Sequence, residues 1–524
     1  MAPHRAGLRA GLVGLAMLCT LAGTAVATAG TASAATGIRF VDVTARDGVV
    51  LKANVIEPTS AGRHPAVVFI SSWGLNDLEY LAQASALAGR GYTVLSYTPR
   101  GWWDSGGKIE VAGPADIGDL SAVLDWLVAH TTADPQRIGA AGVSYGSGIA
   151  LIGAAFDARI KAVAATSAWA DLVESLYGDH TRHPQAVWLL KTLADLFGRP
   201  SDEMRVMIAN YFANENLDGI TAWGRIRSAA TYLDAINRNH PAVFLANSYG
   251  DSVFAPNQVV DFYNRLTGPK HLEFAPGDHG LVEATGLVGL PNHLFASMGR
   301  WFDRYVAGNT GVSDEPPVVL RRLGTDSTEG YPDWDHVSGT RPRYGLGPVR
   351  WWDGTGPLTV AAPQAGWTRT IWSGFDTTAD AGVAELSQGF TTLTGIPPLV
   401  WLPSVNRLNA GVWESAALPS GAAIRGIPAL HLAFSSAPRQ GTVVAYLYDA
   451  DALGTGRLIT QAPFTWLTPT SMVDLRLPAA AYDVPAGHHL AIVVDTKDPL
   501  YFDADTLGAP LAFSGASWLD VPIR

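Results

Sequence analysis

At 524 residues the chain exceeds one ordinary domain and implies two or three. Hydrophobic residues make up 48% and charged residues 16%, which argues against a disordered chain. A formal net charge of −11 leaves no basic footprint of the kind nucleic-acid binding needs.

The first element is a targeting segment. Arg5 and Arg9 form a basic start, residues 11–26 are apolar and small, and Ala32-Ser33-Ala34 is a cleavage signature. Residues 1–34 are therefore expected to be a secretory signal peptide, with the mature protein secreted and extracellular. A retained anchor is the alternative. The apolar run is interrupted by Gly and Thr and falls short of the ~20 residues a membrane span needs, so no membrane association is expected after cleavage. The single cysteine, Cys19, lies inside the leader. The mature chain then has no disulfide or thiol chemistry and must draw its stability from core burial.

From about residue 41 to residue 306, short apolar runs alternate with amphipathic stretches. Residues 67–71, 93–97, 138–143, 160–165, 242–247 and 271–275 read as buried strands. Residues 116–129 put Ile117, Leu120, Leu124, Leu127 and Val128 on one helical face, and 292–306 is a second helix. Such alternation predicts a largely parallel sheet covered on both faces, here over residues 35–310. The segment 169–238 breaks the rhythm, being long, helical in composition and rich in aromatics and charge. It is expected to form a helical cap. Past Gly308, Pro316-Pro317 marks a linker. Alternating runs at 429–434, 442–448, 471–475 and 490–495 then predict an all-β jelly-roll sandwich over 311–524.

Gly142-Val143-Ser144-Tyr145-Gly146 carries the chemistry. It follows an apolar strand and precedes small apolar residues, the strand–turn–helix setting of a nucleophile elbow. In a chain with 55 glycines the pentapeptide can arise by chance, so its partners must decide. A serine hydroxyl needs a general base, and the base needs an orienting carboxylate. Asp251 follows the strand at 242–247 and His279 follows the strand at 271–275, in the chain order Ser, Asp, His that this fold requires. Asp234 and Asp261 fall inside helical patterns. Asp278 adjoins the histidine and is expected to stabilise the turn. Oxyanion donors are expected at the main-chain N–H of Tyr145 and in the loop Ser71-Ser72-Trp73-Gly74, where Trp73 offers its main-chain or its indole N–H.

With these residues in view, the chain resembles the X-prolyl dipeptidyl-peptidase and cocaine-esterase family of serine hydrolases. The resemblance rests on Arg46-Asp47-Gly48-Val49-Val50-Leu51, Pro99-Arg100-Gly101 with Asp104-Ser105-Gly106-Gly107, and the nucleophile pentapeptide. In the C-terminal half it rests on Trp413-Glu414-Ser415-Ala416-Ala417-Leu418, Gly426-Ile427-Pro428, Ala445-Tyr446-Leu447-Tyr448-Asp449-Ala450-Asp451 and Val484-Pro485-Ala486-Gly487-His488-His489-Leu490. It implies an α/β-hydrolase core, a helical cap and a jelly roll near the active-site mouth. It also implies cleavage of a small peptide or ester substrate through an acyl-serine, with Ser144, Asp251 and His279 as the triad. Nothing in the chain implies a cofactor or metal, and the triad mechanism needs neither.

Two positions depart from the family pattern. Trp73 stands where cocaine-esterase-like members place a tyrosine hydroxyl, and Ser96-Tyr97-Thr98-Pro99 lacks the acid often found before the Arg-Gly loop. An X-prolyl peptidase must hold a substrate ammonium, for which Asp171, Glu174 and Asp179 are the cap's candidates; solvated helix charges are the plainer reading. A carboxylesterase of the cocaine-esterase type is the alternative. A non-catalytic ligand-binding protein is another, suggested by Trp351-Trp352 and Trp401, although sandwich-core packing explains these tryptophans more simply. Oligomeric state is not legible in the chain.

Overall fold

The computed structural model describes residues 37–313, 315–323 and 327–524; the expected signal peptide lies outside them. The N-terminal half is built on ten strands: β1 (Arg39–Thr44), β2 (Val50–Ile56), β3 (His64–Ile70), β4 (Thr93–Tyr97), β5 (Ala133–Val143), β6 (Ile160–Thr166), β7 (Ala242–Ser248), β8 (Lys270–Ala275), β9 (Val318–Arg321) and β10 (Thr328–Tyr331). They run in the order β1-β2-β4-β3-β5-β6-β7-β8-β9-β10. The pairs from β4 through β9 are parallel, and the flanking β1–β2, β2–β4 and β9–β10 pairs are antiparallel. Helices cover both faces, which is why β4 and β7 are buried along their whole length and read as continuous apolar runs. Two strands beyond residue 310 extend this sheet: β9 pairs with β8 through Leu272 and Val318, just after Pro316-Pro317. That proline pair ends one element without ending the sheet.

The sequence signatures of the core have structural causes. Gly48 turns the β1–β2 hairpin with φ +85°. Arg100 is buried and bonds Asp119 at 2.6 Å and Asp47 at 2.9 Å, tying the loop after β4 to helix Pro114–His130 and to the hairpin turn.

Between β6 and β7 the expected cap forms as helices Leu172–Tyr177, Pro184–Phe197, Asp202–Ala213 and Leu217–Arg225. Helix Leu233–Asn239, within the same expected span, instead lies on helix Tyr145–Phe156. There the Asn239 amide donates to the carbonyls of Ala154 and Ala155 at 2.9 and 3.0 Å.

Among the described residues the C-terminal half is all-β apart from a short 3₁₀ turn and helix Leu386–Thr394, which alternation alone does not anticipate. Its strands wrap a core that includes Trp413, Leu432, Leu447, Ile492 and Phe513. Trp351, Trp352 and Trp401 are 91%, 64% and 59% exposed, so core packing does not explain them. Their positions in surface loops and on the short edge strand Leu399–Trp401 leave the rings in solvent. Among the described residues no helix is long and apolar enough to cross a membrane.

Candidate active site

Ser144 sits between β5 and helix Tyr145–Phe156 with φ +56° and ψ −114°, a strained conformation for a non-glycine residue. Its neighbours explain the glycines around it. A Cβ on Gly142 would lie 2.4 Å from the main chain of Gly146, and one on Gly146 would lie 2.0 Å from the carbonyl of Ile70. Only glycine lets the elbow press this closely on the sheet. The Ser144 N–H donates to the Thr166 carbonyl at 2.9 Å, fixing the turn to β6.

The loops after β7 and β8 bring the two predicted partners to the serine. His279 Nε2 lies 2.8 Å from Ser144 Oγ, and His279 Nδ1 lies 3.0 Å from Asp251 Oδ2. The other carboxylate oxygen of Asp251 accepts the N–H groups of Val253 at 3.0 Å and Phe254 at 2.7 Å, so both oxygens are committed and the carboxylate is oriented. Burial pulls the His279 pKa down, but the Asp251 charge and hydrogen bond outweigh it and raise the pKa above the usual value of 6.5. Asp234 stands in helix Leu233–Asn239 and Asp261 pairs with Arg476 at 2.7 Å, both away from the serine's bonds.

On the oxyanion side the structure leaves one of the two Trp73 donors available. The Trp73 indole N–H, one of two donors expected there, is spent on the Leu190 carbonyl of the cap at 2.8 Å. An indole has a single N–H, so it cannot also serve an oxyanion. The main-chain N–H groups of Trp73 and Tyr145 have no acceptor among the described residues; Tyr145 opens its helix and so lacks an intrahelical partner. The Trp73 ring packs edge-on against Trp102 and Tyr145, with centroids 4.7 and 5.1 Å away.

Three further supports brace the site, and of these only Asp278 is marked in the sequence. Glu79 clamps Ser72, accepting its N–H at 2.7 Å and its hydroxyl at 2.6 Å, which holds the loop carrying Trp73. Ser167, buried beside the elbow, accepts the Gly280 N–H at 2.9 Å and donates to Glu283 at 2.9 Å. Asp278, expected to stabilise its turn, accepts its neighbour's His279 N–H at 2.8 Å and more distant donors as well. No local motif marks Ser167 or Glu283, because they meet across 116 residues of chain, whereas Glu79 clamps Ser72 from seven residues further along the same loop.

A cavity of about 260 Å³ opens between the two halves of the chain, walled by Asp251 and Asp278 but not by Ser144 or His279. Of the cap carboxylates considered for an ammonium, Asp171 caps helix Leu172–Tyr177, while Glu174 and Asp179 touch this cavity yet stay solvent-exposed.

A serine on a strained elbow, in hydrogen-bond contact with a histidine on a largely parallel sheet, defines a serine-type α/β-hydrolase. Residues 47–281 match the X-Pro dipeptidyl-peptidase (S15 family) model, and residues 310–516 match the X-Pro dipeptidyl-peptidase C-terminal non-catalytic domain. The two matches follow one another along most of the chain, and the chain belongs to this family of hydrolases. Among solved structures, an α-amino acid ester hydrolase is similar over 95% of this chain and 99% of its own, with TM-score 0.68 and 16% identity. A CocE/NonD family hydrolase from Staphylococcus aureus is similar over 96% of this chain and 100% of its own, with TM-score 0.69 and 13% identity. These similarities establish the fold. Among curated proteins, the chain is 32% identical over 123 residues to an uncharacterised Pseudomonas aeruginosa protein, covering 22% of this chain and 33% of that protein's length. It is 25% identical over 268 residues to an acyltransferase of Aspergillus calidoustus, covering 45% of this chain and 85% of that protein.

Proposed function

We propose that the protein is a secreted hydrolase that cleaves an ester or X-Pro amide bond through an acyl-serine intermediate. The observation that carries this reading is the continuous relay from Ser144 Oγ through the His279 ring to Asp251, with contacts of 2.8 and 3.0 Å. His279 Nε2 accepts the serine proton as Oγ attacks the substrate carbonyl. The tetrahedral oxyanion is met by the main-chain N–H groups of Tyr145 and Trp73. His279 then returns the proton to the leaving amine or alcohol, and water repeats the sequence to release the acid. Secretion rests on the leader at residues 1–34.

The test is Ser144→Ala probed with a fluorophosphonate. Labelling of the wild-type chain and none of the variant is expected, with the fold retained; full labelling of the variant at another serine overturns the assignment. An Ala-Pro anilide and a simple acyl ester, run side by side, separate the two substrate readings. The peptidase reading expects anilide cleavage that requires a free amino terminus. The esterase reading expects ester turnover with little anilide cleavage.

A further inference from the structure

Asp278 is fully buried, and its carboxylate collects main-chain donors from three separate segments. One oxygen accepts the N–H of Ser252, next to Asp251, at 2.7 Å and the N–H of His279 at 2.8 Å. The other accepts the N–H of Glu385 at 3.0 Å, and Glu385 belongs to the β-sandwich half of the chain. The Glu385 N–H is shared with the Ser252 hydroxyl at 3.1 Å. A turn-forming aspartate needs only its local bond, whereas two of these three donors come from distant segments. Burial first, and then the like charge of Asp251, disfavour ionisation of Asp278, and the main-chain donors of Ser252 and His279 work against both.

The segment around Glu385 is gripped from several sides. Glu385 has φ +65° and ψ −31°, and a non-glycine residue holds such a conformation only where its surroundings over-determine it. The Ala384 N–H bonds the Gln185 side chain of the cap at 3.2 Å. The helix that follows, Leu386–Thr394, lies so close to the histidine loop that a Cβ on Gly389 would come within 2.9 Å of Leu281.

We propose that Asp278 is a positioning residue that ties the Asp251 loop, the His279 loop and the β-sandwich into one frame, so that docking of the second domain sets the orientation of His279. This rests on the reading of Ser144, His279 and Asp251 as the reacting groups. The titratable groups around Asp278 are Asp251, His279, Glu385 and Tyr501, and the His279 ring that it braces also feels the charge of Glu283.

Asp278→Asn in the full chain is the test. Its amide oxygen can still accept from Ser252 and His279, but its NH₂ meets the Glu385 N–H donor to donor, so the variant cuts the tie between domains. The expected result is a kcat at least tenfold lower with KM within about threefold, because small misplacements of a reacting group cost rate rather than binding. The acid limb of the pH–rate profile moves to lower pH, since a negative charge near the imidazole is gone. Amide hydrogen exchange over 385–394 quickens. A folded variant with wild-type kcat and an unmoved acid limb overturns the proposal. Should the variant not fold, Ser252→Ala removes the other acceptor of the Glu385 N–H and leaves Asp278 in place. Faster exchange at 385–394 with a roughly threefold loss of kcat then supports the frame, and unchanged exchange and kcat overturn it. A wild-type chain that a fluorophosphonate does not label at Ser144 refutes the parent reading instead.

Discussion

Asp251→Asn isolates the role of the carboxylate, because the structure dictates which way the new amide must face. One end of the side chain is fixed by the Val253 and Phe254 N–H donors at 3.0 and 2.7 Å, so the amide oxygen takes that end. The NH₂ then points at His279 Nδ1, which lies 3.0 Å from the oxygen it replaces. Nδ1 must now accept, and the ring proton moves to Nε2, the atom 2.8 Å from Ser144 Oγ. That tautomer cannot take the serine proton. Loss of the correct tautomer in an otherwise intact site costs ~10⁴ in kcat in the best-studied serine hydrolases, which is about 5.5 kcal/mol of transition-state stabilisation. Stability changes by only about 1 kcal/mol, since both main-chain bonds to the side chain survive. The assay pairs burst kinetics on a chromogenic ester with a thermal melt of the same sample. A variant that melts like the wild type and keeps its rate within tenfold refutes the relay as drawn.

Further outcomes follow from the same geometry. Trp73→Phe strips the 2.8 Å bond to the Leu190 carbonyl and should cost ~1–3 kcal/mol by denaturant melt, while kcat stays within about threefold because the main-chain donor remains; a hundredfold loss of kcat would instead place the indole at the oxyanion. Because Asp251 raises the His279 pKa, the neutral imidazole that accepts the proton accumulates only above pH 6.5, and kcat/KM should reach half-maximum above that value; a flat profile from pH 5 to 8 excludes His279 as the base. Burial, aided by the neighbouring Asp119 charge, pushes Asp116 up to about 7; burial first, then the Asp380 charge, does the same for Asp498; burial and then Asp251 push Asp278 up to about 6. Each binds its proton more tightly in the folded chain than in the unfolded one, so its contribution to stability is complete below its unfolded pKa and is lost as pH rises through the folded value. The melting temperature should therefore fall between pH 5 and pH 8; a rise over that window contradicts this assignment of buried acids.

The strands of the core were legible because a parallel strand covered on both faces must be a short, continuous apolar run, and β4 and β7 are just that. Ser144, Asp251 and His279 were legible because each stands directly after such a strand, where the chain leaves the sheet. The reach of the sheet past Pro316-Pro317 was not, since a parallel pairing such as that of β9 with β8 joins segments with no local mark of each other. Helix Leu386–Thr394 interrupts the alternating runs without a local mark, and the exposure of Trp351, Trp352 and Trp401 is not legible because an aromatic residue in a sequence carries no sign of which face it will take.

By itself, then, the sequence determined the chemistry available: a serine on a glycine-flanked turn, an acid and a base in the required order, and two domain signatures of one family. Tertiary structure alone decided how these groups are held. Whether the Trp73 indole is free depends on Leu190, 117 residues away, and whether Asp278 braces only its own turn depends on Glu385, 107 residues away. Hydrogen bonds of this kind are written in no local pattern, because a donor and its acceptor need share nothing along the chain and meet only once the sheet, cap and sandwich have packed.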